Sequence, residues 1–161
     1  MAAITTQGRV ATPSTSAREA RERLALLDRA LDELDRAQSL LDRAEAVADT
    51  DPRAAFELAH RAALRAAGVV IDRANRARRR RLPLNAWQAL SRLGATHRDW
   101  AREVEPMVAE RRRLDGNEGA VPDLDLLARH CRSTRERIAA VRAETVMAHL
   151  PEAGAVAAGA R

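Results

Sequence analysis

The sequence predicts an all-α protein, an antiparallel four-helix bundle with disordered termini, and three observations carry that prediction. Apolar residues recur at spacings of three and four through long segments. Aromatics make up only 2% of the 161 residues, so alanine and leucine supply most of the 46% hydrophobic content; that suits close-packed helices better than a sheet. The links between segments are short, which places sequential helices side by side and antiparallel. A chain of this length holds one domain with a real core.

Residues 1–15 are small, polar and unpatterned, and read as a disordered tail ahead of a helical bundle over 16–150. Ser16 with Glu19 forms a capping box that starts the first helix, over about 17–48. Leu24, Leu27, Leu31 and Leu34 keep a/d spacing; after a phase slip between Leu34 and Ala37, Leu41, Ala44 and Ala48 continue the stripe. The first half of this helix either projects past the bundle towards a second copy or packs on its own bundle.

Asp51 caps the second helix and Pro52 opens it, where a missing N–H costs nothing. Phe56, Ala59, Ala63, Ala66 and Val70 form its apolar face, widened by His60, Leu64, Ala67 and Ile71. The helix is expected to run through Arg78, Arg79, Arg80 and Arg81 until Pro83 stops it. Gly68 inside it calls for a neighbour lying close to the backbone, such as a tryptophan, or else is ordinary sequence drift.

Asn85 with Gln88 starts a third helix whose buried stripe is Trp87, Leu90, Leu93, His97, Trp100 and Val104. Pro106 is expected to break or kink it. Asp123 caps a fourth helix with Leu124, Leu127, Cys131, Thr134, Ile138, Val141, Thr145 and Ala148 at a/d spacing, stopped by Pro151. Residues 151–161 read as a flexible tail.

Charge is distributed unevenly. The net charge is +5, with 28 arginines and no lysine. Residues 1–51 carry a net −3, whereas residues 52–82 carry +7. The cations there are chiefly Arg61, Arg65, Arg73, Arg76, Arg78, Arg79, Arg80 and Arg81, candidates for contacting several phosphates of an RNA backbone. The same surface would also suit an acidic protein partner, or serve as a solvated helix end whose charge complements the helix dipole. No aromatic residue is interleaved for base stacking.

One cysteine, Cys131, excludes an internal disulfide and a zinc cluster, and its a/d position reads as a small buried hydrophobe. No metal or cofactor is expected. The absence of an apolar run of membrane-spanning length, and of a signal peptide in residues 1–16, suggests a cytoplasmic protein without a membrane role.

The segments Asp51-Pro52-Arg53, Ala59-His60-Arg61-Ala62-Ala63-Leu64-Arg65-Ala66-Ala67, Ala86-Trp87 with Leu90, and Trp100 together resemble a family of small HEPN-domain proteins of high-GC bacteria. The resemblance spans about residues 38–145 and implies a helical bundle that pairs through its helices, hence a homodimer. His60, Arg65, Trp87, Leu90 and Trp100 are its motif residues. The superfamily also includes metal-independent ribonucleases with an Arg-x4–6-His motif; here Arg142 and His149 have that spacing, about 10 Å apart along one helix face. Arginine would hold a phosphate while histidine moves a proton. Ala143 replaces the usual polar residue after the arginine, and Arg53/His60 and Arg92/His97 show the same spacing.

His60 and Arg65 stand about 140° apart on their helix and do not form a tight pair. Their helix makes His60 either a hydrogen-bonded core residue or a functional one, and His97 poses the same choice. The expected function is an RNA-associated binding module. The alternatives are a dimerising protein-interaction module and, with least support, a ribonuclease.

Overall fold

A computed structural model describes residues 13–150, with side chains from residue 16. It contains five helices and, among the described residues, no strand: α1 (Pro13–Val47), α2 (Pro52–Arg76), α3 (Ala86–Ser91), α4 (Ala95–Asp115) and α5 (Leu124–His149). The all-helical bundle agrees with the sequence prediction, but the expected third helix is two. Residues 1–12 and 151–161 of the expected tails lie outside the described residues, while residues 13–15 belong to α1. Ser16 therefore sits inside α1, and the capping box does not mark its start.

Helix α2 is the centre of the fold, packed by all four others. The Asp51 carboxylate accepts the Ala54 N–H at 2.9 Å, and Pro52 occupies the first turn, as expected of this start signal. Ala55, Ala59, Ala62, Ala63, Ala66 and Ala67 are fully buried. Side chains this small let α1 and α5 approach the α2 backbone closely and still bury their own larger residues. Those include Leu34 and Leu41 of α1 and Ile138 and Val141 of α5.

The phase slip in α1 marks where full burial ends, although Ala30 and Leu31 before it still pack against the core. After it, Leu34, Ala37, Leu41 and Ala44 are fully buried; before Leu34 no described side chain is buried, and Leu24 is 59% exposed. In α5 the predicted stripe is buried from Leu127 to Thr145, but Leu124 and Ala148 at its ends are exposed.

Two further expectations are corrected and two are narrowed. Helix α2 ends at Arg76, so residues 78–81 are a loop, not a helix end. The Asn75 side chain accepts the Leu82 N–H at 2.9 Å and folds the chain back so that Leu82 is buried. Four adjacent arginines also repel one another within a helical turn. Secondly, the break between α3 and α4 falls at residues 92–94, and Gly94 takes the N-cap position.

Thirdly, of the expected break or kink at Pro106 the break is ruled out, because α4 continues through it to Asp115. This residue faces solvent, and the carbonyl one turn earlier that loses its N–H partner can be hydrated there. Lastly, no tryptophan packs on Gly68: a Cβ built there would meet nothing within 4 Å.

The α4–α5 connection is held from both sides. Arg53 donates to the carbonyls of Leu114 (2.7 Å), Asn117 (2.8 Å) and Glu118 (2.9 Å). Glu110, buried beneath, accepts from the Arg113 guanidinium at 2.7 and 2.8 Å and from the Asp123 N–H at 2.9 Å. Asp123 in turn caps α5 through the Leu126 N–H.

Candidate functional site

The arginines proposed to meet RNA divide into two groups. Arg65 donates to Glu33 of α1 at 2.6 Å and Arg73 to Glu144 of α5 at 2.9 Å, so these two tie helices together. Arg61, Arg76, Arg78, Arg79, Arg80 and Arg81 are exposed and have no acidic partner among the described residues. The last five gather where the chain leaves α2, with Leu84 fully exposed just beyond them. Arg61 stands about 22 Å further back along α2.

Arg73 belongs to a cluster that no sequence spacing announces, because three helices supply it. His97 of α4 places Nε2 3.7 Å from the same Glu144 oxygen. Burial pushes the His97 imidazole down; Glu144 opposes this, and Arg73 and Arg137 add to the lowering. Arg137 of α5 lies over the Trp100 ring, 5.8 Å from its centroid, and donates to Glu103 at 2.7 Å. The Arg73 Nη1 is buried without a hydrogen-bond partner among the described residues.

The family-motif residues, Arg65 apart, converge on the core. His60 is 2% exposed and its ring lies 5.8 Å from that of half-buried Trp87, which in turn meets buried Trp100 at 6.1 Å. Leu90 is buried beside them, and His130 of α5, fully buried, joins the ladder between His60 and Phe56. His130 was not expected there. Burial, with Arg111 adding, pushes His60 down to about 4; burial, with His60 adding, pushes His130 down to about 3. Both are neutral near pH 7. His60 is thus a core histidine, although its Nδ1 and the His130 Nε2 have no hydrogen-bond partner among the described residues.

Arg142 and His149 do not face a shared cleft. Arg142 donates to Asp35 of α1 at 2.6 Å. The His149 Nδ1–H donates to the Thr145 carbonyl at 2.7 Å, so its proton is held by the last turn of its own helix. Cys131 is buried, and burial raises its thiol to about 11, so it is protonated and inert at neutral pH. Among the described residues no three His, Cys, Asp or Glu side chains gather as metal ligands, and no helix is long and apolar enough to cross a membrane.

Residues 46–125 match the family model described as SAV_6107-like HEPN. The chain belongs to the HEPN superfamily. No curated protein and no solved structure matches it significantly. The HEPN match covers α2, α3, α4 and the loop arginines, together with His60, Trp87 and Trp100. Arg142, His149 and all of α1 but its last two residues lie outside it.

Proposed function

We propose that this HEPN protein is a cytoplasmic, RNA-associated binding module that holds the RNA backbone through Arg76 and the loop arginines 78–81, with Arg61 as an outlying contact. The supporting observation is that these side chains are exposed and unneutralised, whereas Arg65 and Arg73 on the same helix are already paired. Each phosphate they neutralise releases condensed counterions, so affinity is sequence-independent and falls steeply with salt. Five arginines on single-stranded RNA give a slope of log K against log salt of at most about −3.5. The test is fluorescence anisotropy with a generic RNA between about 50 and about 200 mM salt. Changing Arg78, Arg79, Arg80 and Arg81 together to Gln should abolish most of the salt-dependent binding. An unchanged slope would overturn the reading.

An acidic protein partner at the same loop is the second reading, favoured by Leu84, whose exposed side chain beside the arginines suits an apolar anchor with a cationic rim. Self-association as a homodimer is compatible with either. A ribonuclease acting through Arg142 and His149 has the least support, because both side chains are engaged within the fold. RNA cleavage that is lost in His149→Ala with the fold intact would establish it.

A further inference from the structure

Helix α1 carries two apolar stripes, and only one is buried in its own bundle. Leu34, Ala37, Leu41 and Ala44 face α2 and α5 and are fully buried. On the same side, Leu26 and Ala30 line a groove with Val69 and Arg76 at the end of α2. Ala20, Leu24, Leu27 and Leu31 form the second stripe, turned about 90° around the helix from the first. Leu24 is the most exposed of these four, and Leu31 alone also touches the core. The change of direction is the phase slip itself.

Charge indicates what covers the second stripe. Arg21 and Arg23 border its N-terminal half and Asp28 its C-terminal half, whereas Arg18 lies on the far side of the helix, paired with Glu22. A helix of this polarity is complementary to itself only when two copies run in opposite directions. We propose that the α1 stripe Ala20, Leu24, Leu27 and Leu31 pairs with the same stripe of a second copy as a short antiparallel coiled coil. Leu24 of each copy then layers with Leu27 of the other, and Ala20 with Leu31, the a-to-d matching that such pairs require. The same register sets Arg21 of each copy beside Asp28 of the other. Among the described residues, neither Arg21 nor Asp28 has an ion-pair partner.

The inference deepens the homodimer reading above and does not depend on RNA binding. Since α1 runs antiparallel to α2, with Glu33 on Arg65, its projecting end and the arginine loop lie at the same end of each bundle. The dimer would therefore carry two such loops.

The test is sedimentation analysis of the full chain without RNA, where the dimer mass is expected. Leu24→Glu with Leu27→Glu should give a monomer of unchanged helical circular dichroism, because neither residue belongs to the core. Each change alone should raise the dissociation constant by about tenfold or more. Arg21→Glu should weaken the dimer, and adding Asp28→Arg should restore it. A wild-type monomer, or a dimer indifferent to the two glutamates, would overturn the interface; failure of the double charge exchange to restore association would overturn the antiparallel register. Anisotropy with RNA on the Leu24→Glu/Leu27→Glu monomer keeps the two readings separate, since its loop arginines are intact.

Discussion

The imidazoles of His60 and His130 lie 5.6 Å apart, centroid to centroid, across the α2–α5 contact. Protonating either places a charge in the core, and protonating both places two like charges side by side. Arg111, Glu57 and Asp115 also act on His60, while Thr134 Oγ1 lies 3.4 Å from the His130 Nδ1. The unfolded chain binds these protons near pH 6.5, whereas the folded chain resists until about 4 for His60 and about 3 for His130. Lowered folded values mean that stability is fully present above about pH 6.5 and declines as pH falls below it. The limit is about 1.4 kcal/mol per pH unit for each histidine. Urea midpoints at about pH 7 and about pH 5 should show the loss. His60→Gln should be less stable at neutral pH but lose less on acidification. An equal loss in both proteins would show that His60 stays neutral in the unfolded state or titrates in the folded one.

Gly68→Ala is expected to stabilise the protein. The residue is in the middle of α2, its backbone is not in the left-handed region, and a Cβ there has open space around it. Alanine removes the entropy penalty of glycine in a helix, about 0.5–1 kcal/mol. A rise in the thermal midpoint with unchanged helicity is the expected result; a fall would mean that a partner approaches the α2 backbone at this point.

Arg53 is expected to matter more for stability than its half-exposed position suggests. One guanidinium donates to the carbonyls of Leu114, Asn117 and Glu118 and ties the connection to α2; the Leu114 and Asn117 carbonyls also accept the backbone N–H groups of Asn117 and Ala120. Arg53→Ala should cost about 2–3 kcal/mol, the value of a few charge-assisted hydrogen bonds partly screened by water. Arg53→Lys should recover little, because an ammonium lacks the planar fork. Hydrogen exchange across residues 116–122 should quicken in both variants. Unchanged protection there would show that Glu110 alone holds the loop.

What was legible in the sequence follows from which features are local. The buried stripes of α1, α2 and α5 are periodic, and Asp51, Asn85 and Asp123 act on N–H groups within three residues, so all could be read from spacing. The end of α2 depends on Asn75 reaching Leu82 across seven positions, which no capping rule anticipates. Whether Pro106 breaks α4 could not be read locally, because that depends on whether the freed carbonyl meets water, a matter of how α4 is rotated. His97, Glu144 and Arg73 come together only once three helices are docked. Histidine spacing along the chain was least informative: Arg53 and His60 share one face of α2, yet the first reaches the α4–α5 connection and the second is packed in the core.

Glu110 supplies a second acid transition, separable from that of the histidines. The Arg113 hydrogen bonds and the Asp123 N–H, against the opposing effect of burial, hold its carboxyl down at about 2, below the ordinary value of 4.5. A lowered carboxylate contributes stability above about pH 4.5 that is lost as pH falls towards 2. Glu110→Gln keeps the size of the side chain but loses the charge that binds Arg113. Its stability should be lower than wild type at pH 7 and should change less between about pH 4.5 and 2. The histidine limb between about pH 6.5 and 4.5 should remain. Because the Asp123 N–H is bound by the same carboxylate, the variant should also loosen the first turn of α5, seen as faster exchange at Leu126 and Leu127. A variant that retains the wild-type acid limb would assign that limb to the surface carboxylates.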